Sequence, residues 1–219
     1  KNSIYALPEI SKKKFQNYKI ISCPGCYPTS MLLPLLPLIK PNLIKLNNII
    51  IDSKSGYSGA GRGVHKKYAN KNLYESLSAY GVGFHRHNSE IQQELNNYSK
   101  KNIKFTFTPH LSPMFRGILS TIYLDVNNGI NEKHINSKLK SFYKKDTFVK
   151  ILPINTHIST NDVINTNYCH VSVCKTKHRN KLIILSAIDN LIKGGAGQAV
   201  QNLNYYFGYN VKRGLVWKI

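Results

Sequence analysis

The run Ser22-Cys23-Pro24-Gly25-Cys26-Tyr27-Pro28-Thr29 joins a short apolar, strand-like stretch to a long apolar, helix-like one. It constrains the surrounding fold more than any other segment. Gly25 permits a tight turn, and Pro28 suits a first helical turn, where its missing N–H is not needed. The Cys26 sulfur is therefore expected at the mouth of a helix. Unpaired backbone N–H groups and the helix dipole favour negative charge there, which predicts a lowered thiol pKa. A thiolate is the form that covalent catalysis uses.

Cys23 and Cys26 also make a C-x-x-C pair, which admits a redox or a metal reading. Zinc would take two further ligands from His85, His87, Cys169, His170 and Cys174. No second C-x-x-C follows, and Cys169 and Cys174 fall in a strand-like run whose side chains alternate in direction. A thioredoxin-like dithiol is disfavoured as well, because the flanking pattern is not that of a small βαβ oxidoreductase. No metal is expected.

Period-two patterning is clearest at 118–126. Ile118, Ser120, Ile122, Leu124 and Val126 share one face, opposite Leu119, Thr121, Tyr123 and Asp125, which predicts a sheet with one mainly apolar face. Strands are expected at 48–52, 103–108, 118–126, 148–152, 168–174 and 182–187. Helices are expected at 29–39, 62–70, 89–100, 132–143 and 196–207, with Ile91 and Leu95 marking a narrow buried stripe. This irregular alternation favours an α+β fold with helices mainly on one face over a doubly wound one. The longest apolar stretch, 31–39, contains Pro34 and Pro37 and falls short of the roughly 20 residues of a membrane helix.

Two further segments carry chemistry. Ser55-Gly56-Tyr57-Ser58-Gly59-Ala60-Gly61-Arg62 follows a strand; its glycines let backbone N–H groups approach an anion, and Arg62 adds a forked cation. It is neither a Walker loop nor G-x-G-x-x-G, and an ordinary glycine turn fits equally. In His85-Arg86-His87-Asn88-Ser89-Glu90, Asn88 or Ser89 is expected to cap the next helix. Glu90, three residues after His87, is expected to hydrogen-bond that imidazole and raise its basicity. The net charge of +21 raises the question of nucleic acid. The lysines are scattered among Asn, Ile and Tyr, however, so nucleic acid is not the expected partner. Four cysteines in 219 residues are too few for a disulfide scaffold and point to a reducing, cytoplasmic setting.

Five segments, taken in order, carry a resemblance: 24–29, 55–62, 85–91, Phe107-Thr108-Pro109-His110 with Arg116-Gly117-Ile118-Leu119, and 189–194 with 198–202. Together they resemble the N-acetyl-gamma-glutamyl-phosphate reductases of arginine biosynthesis. The resemblance implies a glyceraldehyde-3-phosphate-dehydrogenase-like catalytic domain with a mixed, mainly antiparallel sheet. It also implies NADP(H), an anionic substrate, released phosphate and a homo-oligomer, dimer or tetramer. No glycine-rich nucleotide loop occurs, so the chain reads as roughly the C-terminal two-thirds of such an enzyme, with the nucleotide-binding domain missing. Residues 1–25 would end the cofactor domain, 26–188 would be catalytic and 189–219 would return to the cofactor domain.

Carried over residue by residue, Cys26 is the nucleophile, His87 the acid/base and Glu90 its orienter. Arg62, Arg86, His85, Arg116, Ser58 and Gly59 contact substrate; Gly25, Gly194 and Gln198 contact cofactor. The roles of His85 and His87 could be exchanged. Ser89 stands where the family has Pro, and Cys23 where it has Asn, which makes a Cys23–Cys26 disulfide conceivable. A relative acting on an aminoadipate or aspartate analogue, an inactive split fragment and a basic nucleic-acid-binding protein are the competing readings.

Overall fold

The computed structural model describes residues 2–11, 15–60 and 75–216. The expected helix at 62–70, and Arg62 with it, lie outside the described residues. The chain opens with β1 (Ser3–Tyr5), a short helix α1 (Pro8–Ser11) and β2 (Ile20–Ser22). β1 and β2 pair in parallel, with Tyr5 beside Ser22, and deliver the chain directly to the Cys26 turn.

From there α2 (Cys26–Ile39) runs into the core, every residue from Tyr27 to Ile39 being buried. A helix apolar on all sides must be covered on all sides. α2 lies against β6 (Ile118–Asp125) and β9 (Lys181–Ile188) of the main sheet and is flanked by α3 (His87–Ser99) and α4 (Glu132–Phe142). Pro34 and Pro37 stand inside it, each removing an N–H from the helical ladder. Pro37 deprives the Leu33 carbonyl of its partner, and the buried Tyr143 hydroxyl donates to that carbonyl instead, at 2.5 Å.

The remaining strands are β3 (Ile49–Gly56), β4 (Ser78–Ala79), β5 (Phe105–Ser112), β7 (Val149–Ile151) and β8 (Cys169–Lys175). Among the described residues the main sheet has seven strands in the order β4-β5-β3-β6-β9-β8-β7. β3–β5 and β7–β8 are parallel and the other pairs antiparallel. The fold is thus α+β with a mixed, mainly antiparallel sheet, as the sequence predicts. Ile118, Ile122 and Leu124 pack toward the helices, while Tyr123 is exposed on the opposite face. At the centre of the helix-facing side, Ser30 of α2 meets Ser120 at 2.8 Å and Ser120 meets Ser53 of β3 at 2.7 Å. This buried hydroxyl chain fixes the helix against the strands.

The expected boundaries shift most in four places. β3 continues to Gly56, four residues past its expected end. β5 continues through Pro109 to Ser112. Proline is tolerated there because the neighbour on the outer side, β4, has two residues and pairs with His110 and Leu111. α2 begins at Cys26, three residues before the expected start. α3 begins at His87 with Arg86 as N-cap and no side-chain cap. Asn88 and Ser89 therefore do not cap it; they lie in its first turn, donating to the Gly83 and Arg86 carbonyls. α5 (Gly197–Tyr206) closes the fold, preceded by a π-type turn, Ile192–Ala196.

Candidate active site

The Cys26 turn is tied down on the backbone. Gly25, the N-cap of α2, is extended, and its carbonyl accepts from the Thr29 amide and hydroxyl, each at 2.9 Å. Its N–H donates to Glu90 Oε1 at 2.9 Å. Two glycines make room for close approach. A Cβ on Gly25 would sit 2.6 Å from His87 Nε2, and one on Gly194 would sit 2.6 Å from the Cys26 Cβ. The imidazole of His87 therefore rests on the residue before the thiol, and Gly194 forms the wall behind it. Gly25 and Gly194, expected at the cofactor, are the space that brings His87, Cys26 and the 189–196 segment together.

Electrostatics correct the sequence expectation for the thiol. Burial pushes the Cys26 pKa up; the Tyr27 and Cys26 backbone N–H groups and Arg86 pull it down by less. The helix terminus acts in the predicted direction but loses to desolvation. Cys26 is thus held as a thiol whose proton must be removed, and a neighbouring base becomes the chemical requirement.

Two histidines stand in that neighbourhood. His87 is held down to about 4 by burial and then by Arg86. His85 is held down to about 4 by burial, then by His87 and Arg86. Both are neutral near pH 7. His85 Nδ1 accepts the His87 backbone N–H at 3.1 Å, which puts the His85 proton on Nε2. Its ring is enclosed edge-on by Tyr27, Tyr80 and Phe107, with centroids 5.4, 5.4 and 5.6 Å away. His85 is thereby an oriented N–H donor, and His87 is the imidazole against the thiol's turn.

Glu90 departs from its expected role. Its Oε2 is 4.0 Å from His87 Nε2, beyond a hydrogen bond, and its Oε1 is taken by Gly25 and by the Tyr5 hydroxyl at 2.8 Å. Glu90 orients the turn rather than the ring, and the expected rise in His87 basicity is reversed by burial.

Arg116 is half-exposed and donates to Asp189 Oδ2 at 3.2 Å. Asp189 is fully buried and also accepts from the Asn165, Leu191 and Ile192 amides. One carboxylate thus aims the guanidinium and anchors the loop that leads to Gly194. The next residue, Asn190, accepts from the Gly117 amide at 2.7 Å and donates to Ser58 at 3.0 Å. Ser58 and Gly59 lie in a 3₁₀ turn, Tyr57–Ala60, placed by that asparagine. Arg86 is exposed beside the histidines. Gln198, in the first turn of α5, is fully buried, and neither amide atom is hydrogen-bonded to a described residue. Tyr5, Asp189, Asn190 and Lys193 are site-building residues without an assigned role in the sequence reading. Among the described residues, no three His, Cys, Asp or Glu side chains converge to hold a metal ion.

Residues 26–190 match the family model described as semialdehyde dehydrogenase, dimerisation domain. The chain is 44% identical, over 99% of its length, to the probable N-acetyl-gamma-glutamyl-phosphate reductase, chloroplastic, of Arabidopsis thaliana, and covers 54% of that protein. It is 45% identical, over 97% of its length, to the N-acetyl-gamma-glutamyl-phosphate reductase of Clostridium beijerinckii, of which it covers 62%. The chain therefore spans less than two thirds of the length of these relatives. In fold it is similar to aspartate semialdehyde dehydrogenase II from Vibrio cholerae, with TM-score 0.72 at 17% identity, covering 94% of this chain and 69% of that one. Aspartate semialdehyde dehydrogenase from Francisella tularensis gives TM-score 0.71 at 15% identity, covering 93% and 71% of the two chains. Most of the chain lies inside the family model, which begins at Cys26 itself, and the chain belongs to the semialdehyde dehydrogenase family defined by that dimerisation domain.

Proposed function

We propose that this chain carries the chemical step of an N-acetyl-gamma-glutamyl-phosphate reductase, converting N-acetyl-glutamyl 5-phosphate to the 5-semialdehyde in arginine biosynthesis. The observation that carries the reading is the packing of the Cys26 turn, with His87 against Gly25 on one side and Gly194 against Cys26 on the other. The 44–45% identity to proteins of that name supports the choice of substrate.

In this reading neutral His87 takes the Cys26 proton as the sulfur attacks the acyl-phosphate carbonyl. The carbon–oxygen bond to phosphate breaks, phosphate leaves and a thioester remains on Cys26. NADPH, when bound, supplies the hydride that reduces the thioester to a thiohemiacetal, and the His87 imidazolium protonates its oxygen. His87 then withdraws that proton as the carbon–sulfur bond breaks, releasing aldehyde and thiolate. The His85 Nε2–H is suited to the substrate oxygen, and Arg116, Arg86 and Arg62 to the substrate's anionic groups. Ser58 and Gly59 border the same substrate.

The orphaned Gln198 amide fits a cofactor that bears an amide of its own, such as the nicotinamide carboxamide. Cofactor binding would also need a nucleotide-binding unit, for which the parallel β1–β2 pair is a natural continuation, since parallel sheets seldom stop at two strands. Exposed Ile20, Leu203 and Phe207 fall on or beside a cleft of about 440 Å³ lined by Lys19, Cys23 and Asn202, apolar surface suited to that unit. Residues 1–25 and 189–219 would then serve the cofactor side and 26–188 the catalysis. The open face of the main sheet, with Ile50 and Tyr123 exposed, suits a homo-oligomeric contact. The four cysteines are free, which accords with a cytoplasmic setting; among the described residues no helix is long and apolar enough to cross a membrane.

The test is Cys26→Ser in the enzyme supplied with its nucleotide-binding portion. Turnover is expected to fall roughly 10³-fold or more. Wild-type protein given acyl phosphate without cofactor should carry an acyl adduct on the Cys26 peptide by mass spectrometry. Retained turnover in the variant, or acylation elsewhere, overturns the reading.

A further inference from the structure

Residues His87 and Glu90 are three apart on the first turn of α3, the spacing at which a histidine and a carboxylate usually pair. They do not hydrogen-bond here, and the reason lies 85 residues upstream. The Tyr5 hydroxyl, at the end of β1, donates to Glu90 Oε1 at 2.8 Å, and the Gly25 amide donates to the same oxygen at 2.9 Å. We propose that Tyr5 is a positioning residue that, with the Gly25 amide, holds Glu90 Oε1 and so keeps Glu90 Oε2 4.0 Å from His87 Nε2, outside hydrogen-bond reach of that imidazole. The inference deepens the reading in which His87 receives the Cys26 proton, and rests on it for its catalytic meaning.

A carboxylate hydrogen-bonded to an imidazole stabilises its charged form. Protonated before substrate arrives, His87 would have no capacity to accept a proton from Cys26. The Cys26 thiol, held neutral by burial, needs that capacity. The groups around His87 are consistent in sign. Arg86, at the N-cap of α3, opposes protonation, as does burial. His85 receives the His87 backbone N–H and is itself neutral near pH 7. From α2, Tyr27 presents its ring 6.0 Å away, and Cys26 follows Gly25. Glu94 and Cys23 act on Tyr5 rather than on His87. Glu90 is thus the carboxylate that would change the state of His87; Tyr5 and Gly25 fix its Oε1, which leaves Oε2 4.0 Å from Nε2.

The experiment is a titration of the His87 ring by NMR on the full chain, comparing wild type, Tyr5→Phe, and Tyr5→Phe with Glu90→Gln. Tyr5→Phe removes one oxygen and frees Glu90 to swing toward Nε2. The His87 midpoint is expected to rise from about 4 by at least about one unit, a tenfold change in the protonation equilibrium. The double variant should return it to the wild-type value. Glu90→Gln alone should move the midpoint by less than about half a unit, and it serves as the second probe if Tyr5→Phe does not fold. In turnover, Tyr5→Phe should lower kcat on the acid side with KM unchanged. A merely structural tyrosine would lower the melting temperature and leave the midpoint in place. An unmoved midpoint in Tyr5→Phe, or a fall of a unit or more in Glu90→Gln, overturns the proposal. The titration involves no substrate, so a failure of the reductase reading would appear in Cys26→Ser turnover and not here.

Discussion

Cys26 is held from two sides, and the two sides are built on different physics. Beneath Gly25, Glu90 accepts from a backbone amide and a tyrosine hydroxyl, at the wall of a cleft of about 320 Å³ that also exposes Cys23 and Ser89. Beneath Gly194, the preceding residue, Lys193, turns inward, fully buried. It donates to Glu9 at 2.5 Å and to Gln201 at 2.8 Å, and Gln201 donates back to Glu9 at 2.8 Å. Asn167 completes the cluster through Gln201. Both sides fasten residues 5–9 to the cysteine's surroundings. The Glu90 side is partly solvated, so a carboxylate that loses one partner there stays within reach of water. On the Glu9–Lys193 side, any loss of one partner strands a charge out of water. The first suits an adjustable contact, the second a fixed wall.

That contrast can be broken most forcefully at Lys193. Lys193→Met leaves Glu9 buried without its cation and should cost about 3–5 kcal/mol in urea unfolding. Lys193→Met with Glu9→Leu should recover most of that loss, since replacing a whole buried pair by apolar groups is often neutral. Glu90→Gln on the other side should cost only about 1–2 kcal/mol. Equal losses at Lys193 and Glu90, or no recovery in the double variant, would erase the distinction between the two sides. At the glycines the contrast is read in turnover rather than in stability. A Cβ on Gly194 meets the Cys26 Cβ at 2.6 Å and its Cα at 3.0 Å, so α2 itself must move. Gly194→Ala should cost turnover roughly a hundredfold, the scale of an ångström-sized misplacement. Gly25→Ala meets the tip of the His87 ring, which can rotate away, and should cost about tenfold in loss of base alignment. The reverse order would mean that the ring, not the wall, sets the nucleophile.

Much of the scaffold could be read from local pattern. The alternation at Ile118–Asp125 and the Ile91–Leu95 stripe are local signals, and both elements form. The Cys26 turn was legible because Pro, Gly and Cys each have one physical use there. The thiol's pKa was not, since the helix terminus is written in the sequence while the burial that overrides it comes from packing with residues far along the chain, Gly194 among them. Lys193 and Tyr5 were illegible for related reasons. One lysine among 31 basic residues reads as solvated, because lysine is almost never buried unless paired, and its partner Glu9 lies 184 positions away. Tyr5 sits in a three-residue strand with no periodicity to announce it. Asp189 and Asn190 stood in a motif, but that they place Arg116 and Ser58 emerges only when β6, the glycine turn and the 189–196 segment meet.

The smallest predicted effect tests the Glu90 side by acid. His85 and His87 each titrate at about 4 in the fold against an ordinary 6.5, so the unfolded chain binds their protons first as pH falls. Between about 6.5 and 4 the unfolded state carries more protons than the folded one, and stability rises with pH across that window. The contribution is fully present above about 6.5 and is lost as pH falls through about 4. Each ring sets a limiting slope of about 1.4 kcal/mol per pH unit, and partial solvation of both rings reduces it. His170, lowered by burial, adds to the same trend. Glu94, raised by burial, opposes it, because the unfolded chain releases that proton first as pH rises. The informative quantity is therefore the difference between wild type and variant. Urea midpoints measured at intervals from pH 7 to pH 4 should fall less steeply in His87→Gln than in wild type, and less steeply again when His85→Gln is added. Parallel curves would mean that the fold does not hold these rings neutral, and would remove the base on which the Cys26 chemistry depends.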